Sequence, residues 1–178
     1  MNRLGTLAHR VDYRRLATQQ GRASGEIELS RLPRVTAEMA GAARDGDTIA
    51  VDLEFKEDAQ RRVRVEGTID TTLLLECQRC LQVFDESMHV DVAGVVVGDD
   101  DAAANVPRDD EPVMADGDLL DVHALVADEL LLAMPSVARC ARPACSAAYV
   151  KDEAPRRETK EQEPNNPFAV LNQLKRND

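Results

Sequence analysis

At 178 residues, with 22 Lys and Arg against 33 Asp and Glu and a formal net charge of −11, the chain is long enough for one domain with its own core and too acidic to hold nucleic acid by bulk charge. Its aromatic rings are Tyr13, Phe55, Phe84, Tyr149 and Phe168, too few for a broad base-stacking platform. No apolar run approaches the ~20 residues that cross a bilayer, and "MNRLGTLAHRVDYRR" lacks the apolar centre of a secretory signal, so a cytoplasmic protein with no membrane partner is expected.

In chain order, "VDYRRLATQQG" (11–21) predicts a short helix ending at Gly21, and "SGEIELSRL" alternates Glu26, Ile27, Glu28 and Leu29 as an edge strand does. Ser30 is positioned to cap a second short helix over about 31–42, whose regular part Pro33 confines to the residues after it. Residues 1–34 carry seven Arg against Asp12, Glu26 and Glu28, which makes this the one sizeable cationic segment, net +4. In "DTIAVDLEF", Ile49, Val51, Leu53 and Phe55 share one face of a half-buried strand. "RRVRVEGTIDTTLLLEC" repeats the period with Val63, Val65, Ile69, Leu73 and Leu75, and Cys77 falls on the same inward side. "SMHVDVAGVVVG" returns with Met88, Val90, Val92 and Val96, so the chain doubles back antiparallel and "CQRC" lies at or near a hairpin tip.

The acidic, Pro-punctuated stretch 99–112 reads as an exposed, solvated loop. "DGDLLDVHALVADELLLAMP" reads as a helix capped by Asp118, with Leu119, Val122, Leu125, Val126, Glu129 and Leu130 at helical spacings, one stripe of it covering the sheet, and Pro135 ending it. Residues 151–166 are nearly devoid of apolar side chains and should form a flexible linker. Beyond it, "NPFAVLNQLKR" sets Phe168, Leu171 and Leu174 at three-residue steps ahead of Lys175 and Arg176, an amphipathic motif over 167–178 that suits either partner contact or folding back on the core. The expected organisation is therefore one α+β domain over 1–150. It comprises a basic part (1–44), a sheet with its CxxC hairpin (45–98), the acidic loop (99–112), and the helix with a second cysteine pair (113–150). The fold class is a single antiparallel β-sheet or partly open barrel with a packed helix, short N-terminal helices and a flexible C-terminal tail. Nothing in the pattern specifies an oligomer, and a monomer is favoured.

Two close cysteine pairs, Cys77/Cys80 and Cys140/Cys145, point to metal or redox chemistry in a reducing compartment. Four thiolates complete the tetrahedral shell of zinc at ~2.3 Å and leave no position for a reactive water, so such a site is structural. A redox CxxC belongs at a helix N-terminus, where backbone N–H groups lower the thiol pKa; here the motif follows a strand. Two pairs of inert, buried thiols are the remaining alternative. His9, His89 and His123 do not group in sequence with either pair, and surface or packed imidazoles are expected. No Gly-rich phosphate loop, H-E-x-x-H or G-x-S-x-G is present, and no catalytic residue is assigned.

"LECQRC" after an alternating strand, "DGDLLDVHALVADELLLAMP", the closing "NPFAVLNQLKR" and the leading "DYRRLATQQGRASGEIELSRLPRV" together resemble the YceD family, in order and over nearly the whole chain. In members with a four-ligand pattern the position of Cys140 can be His, so this chain resembles an all-cysteine version of that site. The resemblance implies a non-enzymatic bacterial cytosolic factor that supports 23S ribosomal RNA synthesis, processing or stability. Its partner would be ribosomal RNA or a large-subunit ribosomal protein, with Arg79, Phe168, Leu171, Leu174, Lys175 and Arg176 as candidate contacts and zinc as the structural ion. A thiol–disulfide redox protein and a metal-dependent rRNA-processing nuclease are the alternatives from other classes.

Overall fold

The computed structural model describes residues 5–143 and 145. Chain contacts define one compact unit, Met1–Ala141, and a second, Arg142–Asp178. The linker and amphipathic motif expected at 151–178 lie outside the described residues.

The first unit is a mixed α+β structure. Its elements in order are β1 (Arg10–Asp12), α1 (Tyr13–Thr18), β2 (Arg22–Glu28), a 3-10 turn (Leu29–Arg31), α2 (Pro33–Thr36), β3 (Thr48–Glu57), β4 (Val63–Glu76), β5 (Val83–Val97), α3 (Asp100–Ala104), β6 (Pro112–Met114), β7 (Leu119–Asp121) and α4 (Val122–Ala133). Five strands form a sheet in the order β2-β3-β4-β5-β6, curled into a half-barrel, while β1 and β7 pair separately. The strand alternation seen in the sequence is the burial pattern found: Ile49, Val51, Leu53 and Phe55 of β3 and Val65, Ile69 and Leu73 of β4 are fully buried. They join one core with Tyr13 and Ala17 of α1 and with Val122, Val126 and Leu130 of α4. At Gly67 a Cβ would lie 2.0 Å from the Asp52 carbonyl oxygen of β3, so no larger residue lets the two backbones approach this closely.

Four local expectations need correction. Ser30 does not cap a helix: Leu29–Arg31 form the 3-10 turn, and α2 starts at Pro33 after Leu32, which makes no side-chain cap bond. Proline pre-sets the first helical φ, and burial of Leu29, Leu32 and Val35 fixes the path. Asp118 does not open the long helix either. Leu119–Asp121 pair antiparallel with Arg10–Asp12, Asp121 caps α4 by accepting from the Ala124 N–H at 2.9 Å, and Asp118 accepts from Arg14 at 2.8 Å instead. A strand partner more than a hundred residues distant displaces the helix start by one turn.

The acidic stretch is not simply a solvated loop. Asp99 caps α3, the Glu111 carbonyl accepts from the Val95 N–H, and Pro112–Met114 add a parallel edge beside β5. Asp110 accepts from Arg64 Nη2 with both oxygens at 2.7 Å while its side chain is only 17% exposed. This added edge also explains the fourth difference: Val95 and Val97 are buried as well as Val96, because the end of β5 is covered on both faces.

β4 and β5 make the longest ladder of the sheet, running in register from Val63↔Val96 to Glu76↔Val83. The loop 77–82 therefore stands at the far end of a long, stiff hairpin. That is what positions the first cysteine pair.

Candidate metal centre

Cys77 continues the inward face of β4 and is fully buried. Its N–H donates to the Gln82 carbonyl at 3.0 Å and its carbonyl accepts from the Leu81 N–H at 2.8 Å, closing the loop on itself. The tight path sets Leu81 at φ 55°, a left-handed conformation seldom taken by a leucine, with its side chain 69% exposed. The second loop begins where α4 stops: the Met134 N–H makes the last helical bond to Leu130, and Pro135 cannot donate another. Residues 136–140 then run back along the first loop. The Gln78 N–H donates to the Ala138 carbonyl at 2.9 Å, the Cys140 N–H points at Cys77 Sγ at 3.4 Å, and Arg79 Nη2 donates to the Cys140 carbonyl at 3.2 Å.

Cys80 and Cys140 Sγ are 3.8 Å apart, and the Sγ atoms of Cys77, Cys80, Cys140 and Cys145 all lie within 4.8 Å of one another. Four sulfurs at ~2.3 Å from a tetrahedral zinc ion are about 3.8 Å apart from each other, so the spacing fits the ion with little adjustment. Cys77, Cys140 and Cys145 are buried and Cys80 is half-buried. The N–H of Cys140, and after it that of Cys80, stabilises sulfur charge on Cys77 against the opposing effect of burial, and its thiol is pushed down to about 5. A thiolate at neutral pH is the form that ligates metal. Among the described residues, these four cysteines are the group of three or more His, Cys, Asp or Glu side chains with ligand atoms close enough to share an ion.

The sequence brought both pairs into view, and the fold brings them together. Arg79, expected at a partner surface, is exposed and ties the first loop to the second through the Cys140 carbonyl. Phe168, Leu171, Leu174, Lys175 and Arg176 lie outside the described residues. The cationic leading segment is largely neutralised within the molecule: Arg10 meets Asp116, Arg14 meets Asp118, Arg22 meets Asp52 and Glu54, Arg31 meets Glu28, and Arg34 meets Asp128. The running charge alone does not reveal this, because apart from Glu28 the acids that face these arginines come from distant strands and loops.

A histidine pair escaped sequence reasoning. The His9 and His123 rings stack with centroids 4.3 Å apart, and His9 Nε2 lies 3.1 Å from Asp121 Oδ2. Burial, with His9 and Arg31 adding to it, holds the His123 imidazole below its ordinary pKa. Only the β1–β7 pairing brings the two histidines together, so no short-range signal announces them. His89 instead sits on the outer strand surface, 2.6 Å from Asp70, which raises its pKa.

The family described as "Large ribosomal RNA subunit accumulation protein YceD" matches residues 65–175, more than half of the chain, including all four cysteines. The chain is 28% identical over 155 residues to the large ribosomal RNA subunit accumulation protein YceD of Haemophilus influenzae, covering 85% of this chain and 86% of that protein. No solved structure matches it.

Proposed function

This chain belongs to the YceD family of large ribosomal RNA subunit accumulation proteins, and from that premise we propose that it is a cytoplasmic, non-catalytic accessory factor that supports 23S rRNA accumulation during large-subunit synthesis. Its scaffold is closed by one zinc ion held by Cys77, Cys80, Cys140 and Cys145. The convergence of the four sulfurs within 4.8 Å is the observation that carries the metal part; the family match carries the ribosomal part. The metal is structural in this reading, because four sulfur ligands occupy a tetrahedral shell completely. When bound it supplies no chemistry beyond cross-linking the loops at 77–82 and 138–145.

The redox alternative is the weaker one despite the low pKa of Cys77, since that thiol is fully buried and exchange requires a sulfur that an incoming disulfide can reach. The net charge and the internal pairing of the leading arginines favour contact with a ribosomal protein over contact with the phosphate backbone. Arg79 and the segment carrying Phe168, Leu171, Leu174, Lys175 and Arg176 are proposed contact residues.

The test is deletion of the gene followed by measurement of 23S against 16S rRNA, with complementation by the wild type and by a Cys80→Ser, Cys140→Ser variant. Deletion is expected to lower the 23S share, and the double variant to complement poorly while purified wild-type protein carries one zinc per chain. An unchanged rRNA ratio under rapid growth and in the cold overturns the ribosomal reading. Protein purified without zinc that still complements overturns the metal reading.

A further inference from the structure

Beside the cysteine loops, the turn after α2, the end of β4 and the end of α4 enclose a groove of about 660 Å³. Met39, Leu131, Met134 and Ala138 supply its apolar lining. Met39, Leu131 and Met134 are only partly buried against the core, so they still offer apolar surface. Methionine is unbranched and polarisable and adapts to the shape of what it receives. Leu132, next to Leu131 in α4, is 73% exposed.

Among the described residues, the only ionisable groups lining the groove are Glu38 and Glu76, both exposed. Among the described residues neither makes an ion pair, in a molecule where Arg10, Arg14, Arg22, Arg31, Arg34, Arg44, Arg62 and Arg64 each meet a carboxylate. Two unneutralised carboxylates around an apolar floor repel phosphate and attract Lys and Arg. Among the described residues no aromatic ring lines the groove to stack a base.

We propose that this groove is a docking slot for a cationic, amphipathic segment of a protein partner, which sets apolar side chains on the methionine floor and basic ones against Glu38 and Glu76. The slot is coupled to the metal centre. Gln78 and Ala138 both line it and are joined by the 2.9 Å bond from the Gln78 N–H to the Ala138 carbonyl, one residue from Cys77 and two from Cys140. This coupling, and the ribosomal identity of the partner, rest on the function proposed above; the slot itself does not.

The binding test uses the full chain purified with its metal and a fluorescein-labelled peptide of about 14 residues built from Leu and Lys, with Leu at i, i+3, i+4 and i+7, read by anisotropy. The Leu/Lys peptide is expected to bind, and the same spacing in Leu and Glu is expected not to. Glu38→Lys with Glu76→Lys, and separately Met134→Arg, should each weaken binding by about tenfold or more. Asp100→Lys with Asp101→Lys in α3, outside the groove, changes net charge by the same amount and should weaken it by less than about twofold. Chelating the metal should weaken binding to wild type without unfolding the sheet. Equal losses from the two charge reversals, meaning attraction to the acidic surface at large, overturn the proposal, as does no binding at all.

In growing cells, a photo-crosslinking residue at exposed Ser136 on the groove should join to a Lys- and Arg-rich segment of a protein, identified by mass spectrometry. Crosslinks to RNA, to an acidic segment, or to nothing overturn it. Full restoration of 23S levels in the deletion strain by Glu38→Lys/Glu76→Lys would remove the groove from the function while leaving the function standing. A deletion without any rRNA phenotype would remove the function while leaving the peptide measurements to decide the groove.

Discussion

Stripping zinc with a strong chelator at neutral pH is expected to lower the melting temperature substantially while the sheet stays folded. The four Sγ atoms lie within 4.8 Å of one another, and the bonds that also join or close the two loops include Cys77 to Gln82, Leu81 to Cys77, Gln78 to Ala138, Cys140 to Cys77 and Arg79 to Cys140. The core of the first unit is built on β3, β4, α1 and α4 and reaches into these loops only at Ala138. With free ion at about 1,000 times its dissociation constant, a ligand that binds only the folded state adds about 4 kcal/mol. For a domain of this size each kcal/mol moves the midpoint by roughly 2–5 °C, so the apo protein should melt about 8–20 °C lower. The assay is differential scanning calorimetry with and without chelator, alongside metal release on thiol titration. Hydrogen exchange adds the spatial test: the amides of Gln78, Leu81 and Cys140 should lose protection in the apo form while those of Val51 and Ile69 keep it. A melting curve indifferent to metal would refute the site, and loss of protection throughout β3 and β4 would refute the separation of loops from core.

Stability should also depend on pH through His123. Its pKa is depressed in the fold by burial, by His9 and by Arg31, against Asp121, so its stabilising contribution is present above the ordinary value of 6.5 and is lost as pH falls from there through the depressed folded value. His89 opposes this: raised by Asp70, it stabilises below 6.5 and loses that contribution as pH rises through its folded value. Urea midpoints of wild type and His123→Phe over about pH 5–8 should show the variant less sensitive to acid; identical slopes would sink the assignment. Gly67→Ala should cost about 1–3 kcal/mol or more in urea unfolding, because its Cβ would lie 2.0 Å from a backbone oxygen that can yield only by moving β3; an unchanged midpoint would show that the curl is not needed there. Leu81→Gly should raise stability by up to about 1 kcal/mol, since glycine takes φ 55° without a Cβ clash and the exposed leucine forfeits little burial. A decrease would mean that the leucine packs against something in the intact protein.

Much of the sheet was legible because it depends on a period of two. Ile49, Val51, Leu53, Phe55, Val65, Ile69 and Leu73 declare one face within a few residues, and the core uses that face. The hairpin tip at "CQRC" was legible for the same reason, since two alternating runs with a short interruption leave little choice but to pair. Element starts were less visible. Asp118 and Asp121 are equivalent as caps in a local window, and only the strand formed by Leu119–Asp121 against Arg10–Asp12 decides for Asp121. Likewise Asp110 looks like one acid among many until Arg64 from β4 is placed against it.

The chain by itself determined that four sulfurs come in two close pairs and that the first pair ends an inward-facing strand. It also determined that the charge balance disfavours broad contact with phosphate, for composition and short-range periodicity are properties of the string. Only the tertiary structure decided that Cys140 Sγ approaches to within 3.8 Å of Cys80 Sγ, that most of the leading arginines are neutralised while, among the described residues, Glu38 and Glu76 meet no cation beside an apolar groove, and that His9 stacks on His123. Those facts depend on which residues remote in sequence are neighbours in space. That is set by burying one continuous core and satisfying strand edges together, a requirement no local window contains.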